Sequence, residues 1–123
     1  MPSQFEAVAG SALGYSDDDT GSVTQATNKG TGVTLNKPSG VITMNDAALG
    51  AAAEVSFAVT NSTCTASDNI IVNHASGGTA GSYLAQANTI AAGSFAITVT
   101  NVSGGSLSEA IVINFVALKG ASS

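Results

Sequence analysis

Residues 110–118 read AIVINFVAL, and Asn114 is the only polar residue among them. A strand that is wetted on one face normally carries a polar side chain at every second position, but here the alternation leaves both faces mostly apolar. The inward set is predicted as Ile111, Ile113, Phe115 and Ala117, and the outward set as Val112, Asn114, Val116 and Leu118, or with the parities exchanged. This stretch therefore predicts a strand covered on one face by its own fold and on the other by sister chains.

The rest of the chain from residue 22 also has the pattern of β-strands, because β-branched residues dominate short runs separated by Gly, Asn and Ser. Strands are predicted at residues 22–27, 31–36, 41–45, 54–61, 69–75, 82–88, 94–100 and 110–118. This spacing predicts an all-β fold, an antiparallel, jelly-roll-like β-sandwich of about eight strands over residues 21–123. Residues 1–20 are predicted to form an extended N-terminal arm.

Two local motifs give sharper predictions. In Asn36-Lys37-Pro38-Ser39-Gly40, proline and glycine stand where a tight turn uses them, which predicts that residues 31–36 and 41–45 pair as a hairpin. Residues 106–109 read SLSE, a capping-box pattern, and predict a single helical turn before the last strand.

Charge is sparse, at 9% of residues, with three lysines, no arginine and a net charge of −5. Nucleic-acid binding requires a basic surface, so this class is disfavoured, as is binding to anionic membranes. There is no basic leader, and AIVINFVAL is shorter than the about 20 residues of a spanning helix. We expect a soluble protein made in a cytoplasm, with a weakly charged surface that meets other subunits.

Reactive residues are few. Cys64 is the only cysteine, which excludes an internal disulfide and predicts a buried thiol. His74, the only histidine, could join Cys64 and Asp68 in a catalytic group by count alone, but no motif spacing supports this. We expect no enzyme and no cofactor, with His74 capping a strand end or lining a subunit contact.

The acidic run Asp17-Asp18-Asp19 offers carboxylates that calcium can use. The spacing of an EF-hand loop is missing, however, so a solvated acidic stretch is favoured and no metal site is predicted.

The phrases TGVTLNK, GVITMN, VSFAVTNS, IIVNHASGGTAG and GSFAITVTNVSGG together resemble a module of tailed-bacteriophage virions. The resemblance covers about residues 21–120. It is to the capsid cement (decoration) proteins of short-tailed phages, including cyanophages, and to related modules at the distal ends of tail fibres and tailspikes. It implies a homotrimeric β-sandwich without enzymatic activity.

The cement reading predicts a virion protein on the outer capsid surface, with itself and the major capsid protein as partners and no nucleic-acid or membrane partner. The trimer interface is expected at Val112, Asn114, Val116 and Leu118. The arm is expected to contact the capsid through Phe5, Val8 and Leu13, by adding a strand to an exposed edge or by filling a groove.

Two alternatives stay open at the level of sequence. One is a distal receptor-binding domain of a tail fibre or tailspike that recognises host surface glycans. The other is a small hydrolase acting on the host envelope, which the missing acid–base constellation disfavours.

Overall fold

The computed structural model describes residues 17–119 and shows an all-β fold in that range. A short 3-10 helix at Asp17–Asp19 leads directly into the first strand, and no α-helix occurs in the described part of the chain. The strands are β1 Thr20–Thr24, β2 Val33–Thr34, β3 Ser39–Thr43, β4 Glu54–Thr60, β5 Asn69–Ser76, β6 Tyr83–Ala91, β7 Ser94–Asn101 and β8 Val112–Leu118. All eight predicted strands are therefore present, with shifted ends.

These strands form two four-stranded sheets that enclose the core. The first sheet has the order β1-β3-β8-β5, and the second has the order β2-β4-β7-β6. In each sheet one pair, β1 with β3 or β2 with β4, is parallel, while the other neighbours are antiparallel. The predicted β-sandwich is thus confirmed. The prediction that its strands are all antiparallel is wrong, because each sheet contains one parallel pair.

The parallel pairs arise because β1, β2, β3 and β4 alternate between the two sheets. The predicted hairpin between β2 and β3 is wrong for the same reason. Residues 35–38 form a crossover instead, in which the Leu35 amide bonds the Thr60 carbonyl of the second sheet and the Pro38 carbonyl accepts from Ala117 of the first. Turn residues bend the chain, but they do not determine whether it returns to the same sheet.

The core lies between the sheets and decides between the two parities left open for the last strand, because Ile111, Ile113, Phe115 and Ala117 are the buried set. Ile111 and Ile113 are 0% exposed, and the Phe115 ring meets Phe95 of the second sheet edge-on, with ring centroids 5.3 Å apart. The burial of aliphatic and aromatic side chains at this interface is the main force that holds the sheets together. The side chains shared by the core include Val33, Leu35, Ile42, Met44, Phe57, Val59, Ile97, Val99 and Ala117.

The lysines lie at the ends of the sandwich, where they bind backbone oxygens. Lys29 is buried and donates to the carbonyls of Asn45 and Glu109, and burial lowers its pKa. Lys37 donates to the Asp18 carbonyl over 2.7 Å. Each lysine therefore ties loops to one another at an end of the sandwich, away from the broad sheet faces.

Candidate functional site

The outward side of the first sheet, which we call the first outer face, contains the predicted interface residues. Val112, Val116 and Leu118 are half-buried there, and Asn114 is exposed. The strand registers place them beside outward residues of the neighbouring strands. The set is Thr20, Ser22, Thr24, Ser39, Val41, Thr43, Asn69, Ile71, Asn73, Val112, Asn114, Val116 and Leu118. No member of the set carries a charge.

A depression of about 320 Å³ lies in the middle of this face, and we call it the hollow. The strand register determines which side chains line it: Asn114 pairs with Val41 of β3 on one side and with Asn73 of β5 on the other. One register step away, Val116 lies between Ser39 and Ile71. Two central amides therefore lie among aliphatic and hydroxyl side chains on an uncharged surface.

The two amides in the hollow, Asn73 and Asn114, are both exposed. Neither the Asn73 nor the Asn114 side chain hydrogen-bonds another described residue, whereas Asn61 and Asn101 each bond several neighbours. An amide has two donors and an acceptor with two lone pairs. The hollow thus offers hydrogen-bonding groups that only water or a partner can satisfy.

The outward side of the second sheet, the second outer face, satisfies its central polar groups internally. Thr98 is 6% exposed, its hydroxyl lies 2.7 Å from the Ser56 hydroxyl, and it accepts from the Asn88 amide over 2.9 Å. One corner is apolar, because Leu84 is 65% and Val102 is 48% exposed. Among the described residues, Glu54 at the first position of β4 is the only charged one on this face.

A hydrogen-bonded cluster around Glu109 fixes the glycine-rich loop after β5. The Glu109 carboxylate accepts from the Thr79 amide at 3.0 Å, from the Thr79 hydroxyl at 2.8 Å and from the Tyr83 hydroxyl at 2.8 Å. The bond from Tyr83, followed by those from Thr79, lowers the pKa of Glu109. Burial and the same bond raise the pKa of Tyr83 to about 12.

This cluster replaces the helical turn that the SLSE pattern predicted, so that prediction is wrong. Glu109 reaches across to Thr79 and Tyr83 instead of bonding back to the backbone of its own segment. The loop also needs its glycines. Gly77 has a φ of 73°, and a Cβ there would lie 2.8 Å from the Ala110 carbonyl.

His74, Cys64 and Asp68 are not brought together. The His74 ring contacts the Gly77 carbonyl at 2.6 Å and meets the Tyr83 ring edge-on, near the end of β5. The buried Cys64 thiol lies near the carbonyls of Thr65 and Ser94, beyond the other end of that strand. Burial, and then the Asp68 charge, raise the pKa of Cys64, which keeps the thiol protonated.

Asp68 belongs to a structural ion pair. Its side chain is fully buried and accepts from the Thr65 hydroxyl at 2.7 Å, from the Thr65 amide at 3.1 Å and from Lys119 at 2.9 Å. Burial alone would raise the pKa of Asp68, but the bonds from Lys119 and Thr65 outweigh it and lower that pKa. The pair ties the end of β8 to the loop before β5.

Among residues 17–119, no group of three or more His, Cys, Asp and Glu side chains is arranged to hold a metal ion. Nor does that range contain a helix long and apolar enough to cross a membrane. The predicted capsid-contact residues Phe5, Val8 and Leu13 lie outside the described residues. Comparison of the chain with protein-family models, with curated proteins and with solved structures finds no match.

Proposed function

We propose that this chain is a structural virion protein, a homotrimeric capsid cement protein that binds the outer surface of a phage head. The observation that carries the proposal is the first outer face, on which residues 17–119 place no charged side chain and where Val112, Val116 and Leu118 share the surface with unpartnered amides. Burial of such a face against sister chains removes apolar area from water and satisfies the amides. The resemblance to phage cement modules supports the same assignment.

The trimer would act as a multivalent clamp. One rigid body that contacts several capsid subunits gains effective concentration at each further contact, so weak contacts add up to firm binding. A protein that binds the assembled shell but not its free subunits stabilises the shell by mass action. No chemical step is needed for this function.

The substitution Val116→Asp tests the trimer. It places an unpaired carboxylate on the face that the proposal buries, and such a charge opposes association strongly. We expect the wild type to sediment as a trimer and Val116→Asp as a folded monomer, whereas Ala66→Asp, an exposed loop position, stays trimeric. A wild type that is monomeric at micromolar concentration contradicts the proposal.

The second candidate is a receptor-binding domain at the tip of the tail. The unpartnered Asn73 and Asn114 amides favour it, because amides can hydrogen-bond sugar hydroxyls. The position of the protein on the virion distinguishes this candidate from a capsid cement protein. Electron microscopy of virions with the tagged protein should show many copies distributed over the head. A few copies at the end of the tail would instead establish the receptor-binding role and overturn the assignment to the head.

A further inference from the structure

The most exposed large aliphatic side chains of the described residues occur at two places on opposite sheets. Leu84, at 65%, and Val102, at 48%, share one corner of the second outer face, whereas Ile71, at 41%, lines the hollow of the first. Leu84 pairs with Thr100 across the sheet, and the Val102 amide bonds the Ser82 carbonyl. The two aliphatic residues are therefore diagonal neighbours on the same face, and we call them the knob.

The knob and the hollow are complementary in chemistry. The hollow is uncharged, is walled by Val41, Ile71 and Val116, and contains the two unpartnered amides. The knob projects from a sheet whose central Ser56 and Thr98 hydroxyls are already bonded to each other. The hollow contains no charged side chain, whereas on the face of the knob Glu54 lies in the same cross-strand row as Leu84, two strands away. The contact must therefore leave the Glu54 carboxylate in water.

The size of the first outer face favours a ring over a face-to-face pair. Four strands about 4.8 Å apart and a longest outward row of about 24 Å give a footprint of roughly 450 Å². A stable interface usually takes about 800 Å² from each partner, so one such face alone is small. In a ring each copy contributes two different patches, which increases the area buried per chain.

The place of the knob is compatible with ring closure. If the whole second outer face of one copy lay flat on the first outer face of the next, successive copies would not rotate relative to one another, and the contact would build a filament. Leu84, however, lies on β6, the edge strand of the second sheet, so a copy can approach the hollow with that edge and at an angle. An angled head-to-tail contact can close after three copies.

We infer that Leu84 and Val102 of one copy insert into the hollow of the next, an inference that rests on the proposed trimer. The two aliphatic side chains then cover Ile71, Val41 and Val116, while backbone and polar groups of the approaching edge satisfy Asn73 and Asn114. The outward residues of β8 therefore meet a different surface of the neighbouring chain and do not meet their own symmetry copies.

Thiol cross-linking of the full chain tests this contact. In a Cys64→Ala background, we expect the double variant Leu84→Cys/Ile71→Cys to give covalent dimers and trimers with a short bismaleimide. A mixture of the two single variants should give only heterodimers between them, and each single variant alone should stay unlinked. A single variant Asn114→Cys should also stay unlinked.

The outcomes separate this contact from the trimer itself. If Asn114→Cys links efficiently while the Leu84 and Ile71 pair does not, the hollows face one another at the axis and the inference is wrong, although the trimer stands. If Leu84→Asp sediments as a trimer, the knob is not at the interface, so the inference is wrong although the trimer stands. If the wild type is monomeric, the trimer fails and this contact fails with it.

Discussion

At the scale of single residues, the chain uses its few charges to tie loops together. Asp68 combines complete side-chain burial with three hydrogen bonds, one of them from the partly exposed Lys119. Glu109 gathers Thr79 and Tyr83 in the same manner at the other end of the sandwich. These carboxylates are structural, and their effects should appear in stability and in titration.

The substitution Asp68→Asn should lower the free energy of unfolding by about 1–3 kcal/mol. It removes the charge that the Lys119 ammonium contacts and weakens the bonds from Thr65, although part of the ion pair is open to solvent. Urea denaturation measures the loss. Asp18→Asn, at an exposed position, serves as the control and should change stability little. Equal stability of both variants would show that the pair contributes nothing.

The substitution Glu109→Gln should lower the pKa of Tyr83 from about 12 toward its ordinary value of 10. It removes the negative charge that opposes ionisation of the phenol. Ultraviolet titration in a Tyr15→Phe background follows the single remaining tyrosine. An unchanged Tyr83 titration would mean that burial alone sets its pKa.

The same carboxylates make the stability of the protein depend on pH. The pKa values of Glu109 and Asp68 are lowered by folding, so their contribution is complete above their ordinary values of 4.5 and 3.8 and is lost as the pH falls. Tm should therefore decline below about pH 4.5, and the decline should be shallower in Glu109→Gln. A Tm profile that is identical in both proteins contradicts this linkage.

At the scale of elements, β6 contains a strained position. Thr89 has a φ of 53° where the register with β7 shifts between Asn88 and Ala91. A β-branched residue is disfavoured in this left-handed region. The bulge therefore holds a backbone conformation that glycine would adopt without strain.

The substitution Thr89→Gly should raise the free energy of unfolding by about 0.5–1 kcal/mol, because relief of the strain exceeds the entropy that glycine adds to the unfolded chain. Urea denaturation measures the gain. Thr60→Gly, at an exposed strand position, is the matched control and should lose about 1 kcal/mol. If both substitutions destabilise equally, Thr89 is not strained.

The elements also show how far the sequence determines the fold. The alternation in β8 separates its side chains into two sets, because the side-chain period is a local property of a strand, but it does not show which set faces inward. The partners of β8 are β3 and β5, which are distant in the chain, so Val41, Ile71 and Asn73 could not be assigned to its outer face. Alternation indicates the face of a residue, while its neighbours depend on long-range pairing.

At the scale of the whole molecule, charge lies near the ends of the sandwich and the broad faces are almost neutral. Of the Asp, Glu, Lys, Arg and His residues, only Glu54 and His74 lie in the eight strands. His74 contacts Tyr83 at one end of the sandwich. Contact between such faces is driven by apolar burial more than by ion pairs.

The trimer should therefore be insensitive to sodium chloride and stabilised by sulfate. At 1 M salt the Debye length is about 3 Å, so exposed charges that lie farther apart are largely screened, whereas salts excluded from the protein surface strengthen apolar burial. Sedimentation at about 0.1 M and 1 M sodium chloride, and in sodium sulfate, measures the trimer fraction. Val116→Asp provides the monomer reference. Dissociation of the wild type in sodium chloride would instead indicate an interface dominated by charge.

The burial of Lys29 has a consequence for proteolysis. Trypsin cleaves after lysine and arginine, and this chain has three lysines, Lys29, Lys37 and Lys119, and no arginine. In the folded protein the first is enclosed, with 3% of its surface exposed, and the second precedes Pro38, which blocks cleavage. Digestion of the native protein by trypsin is thereby confined to the bond after Lys119, which lies beyond the last strand.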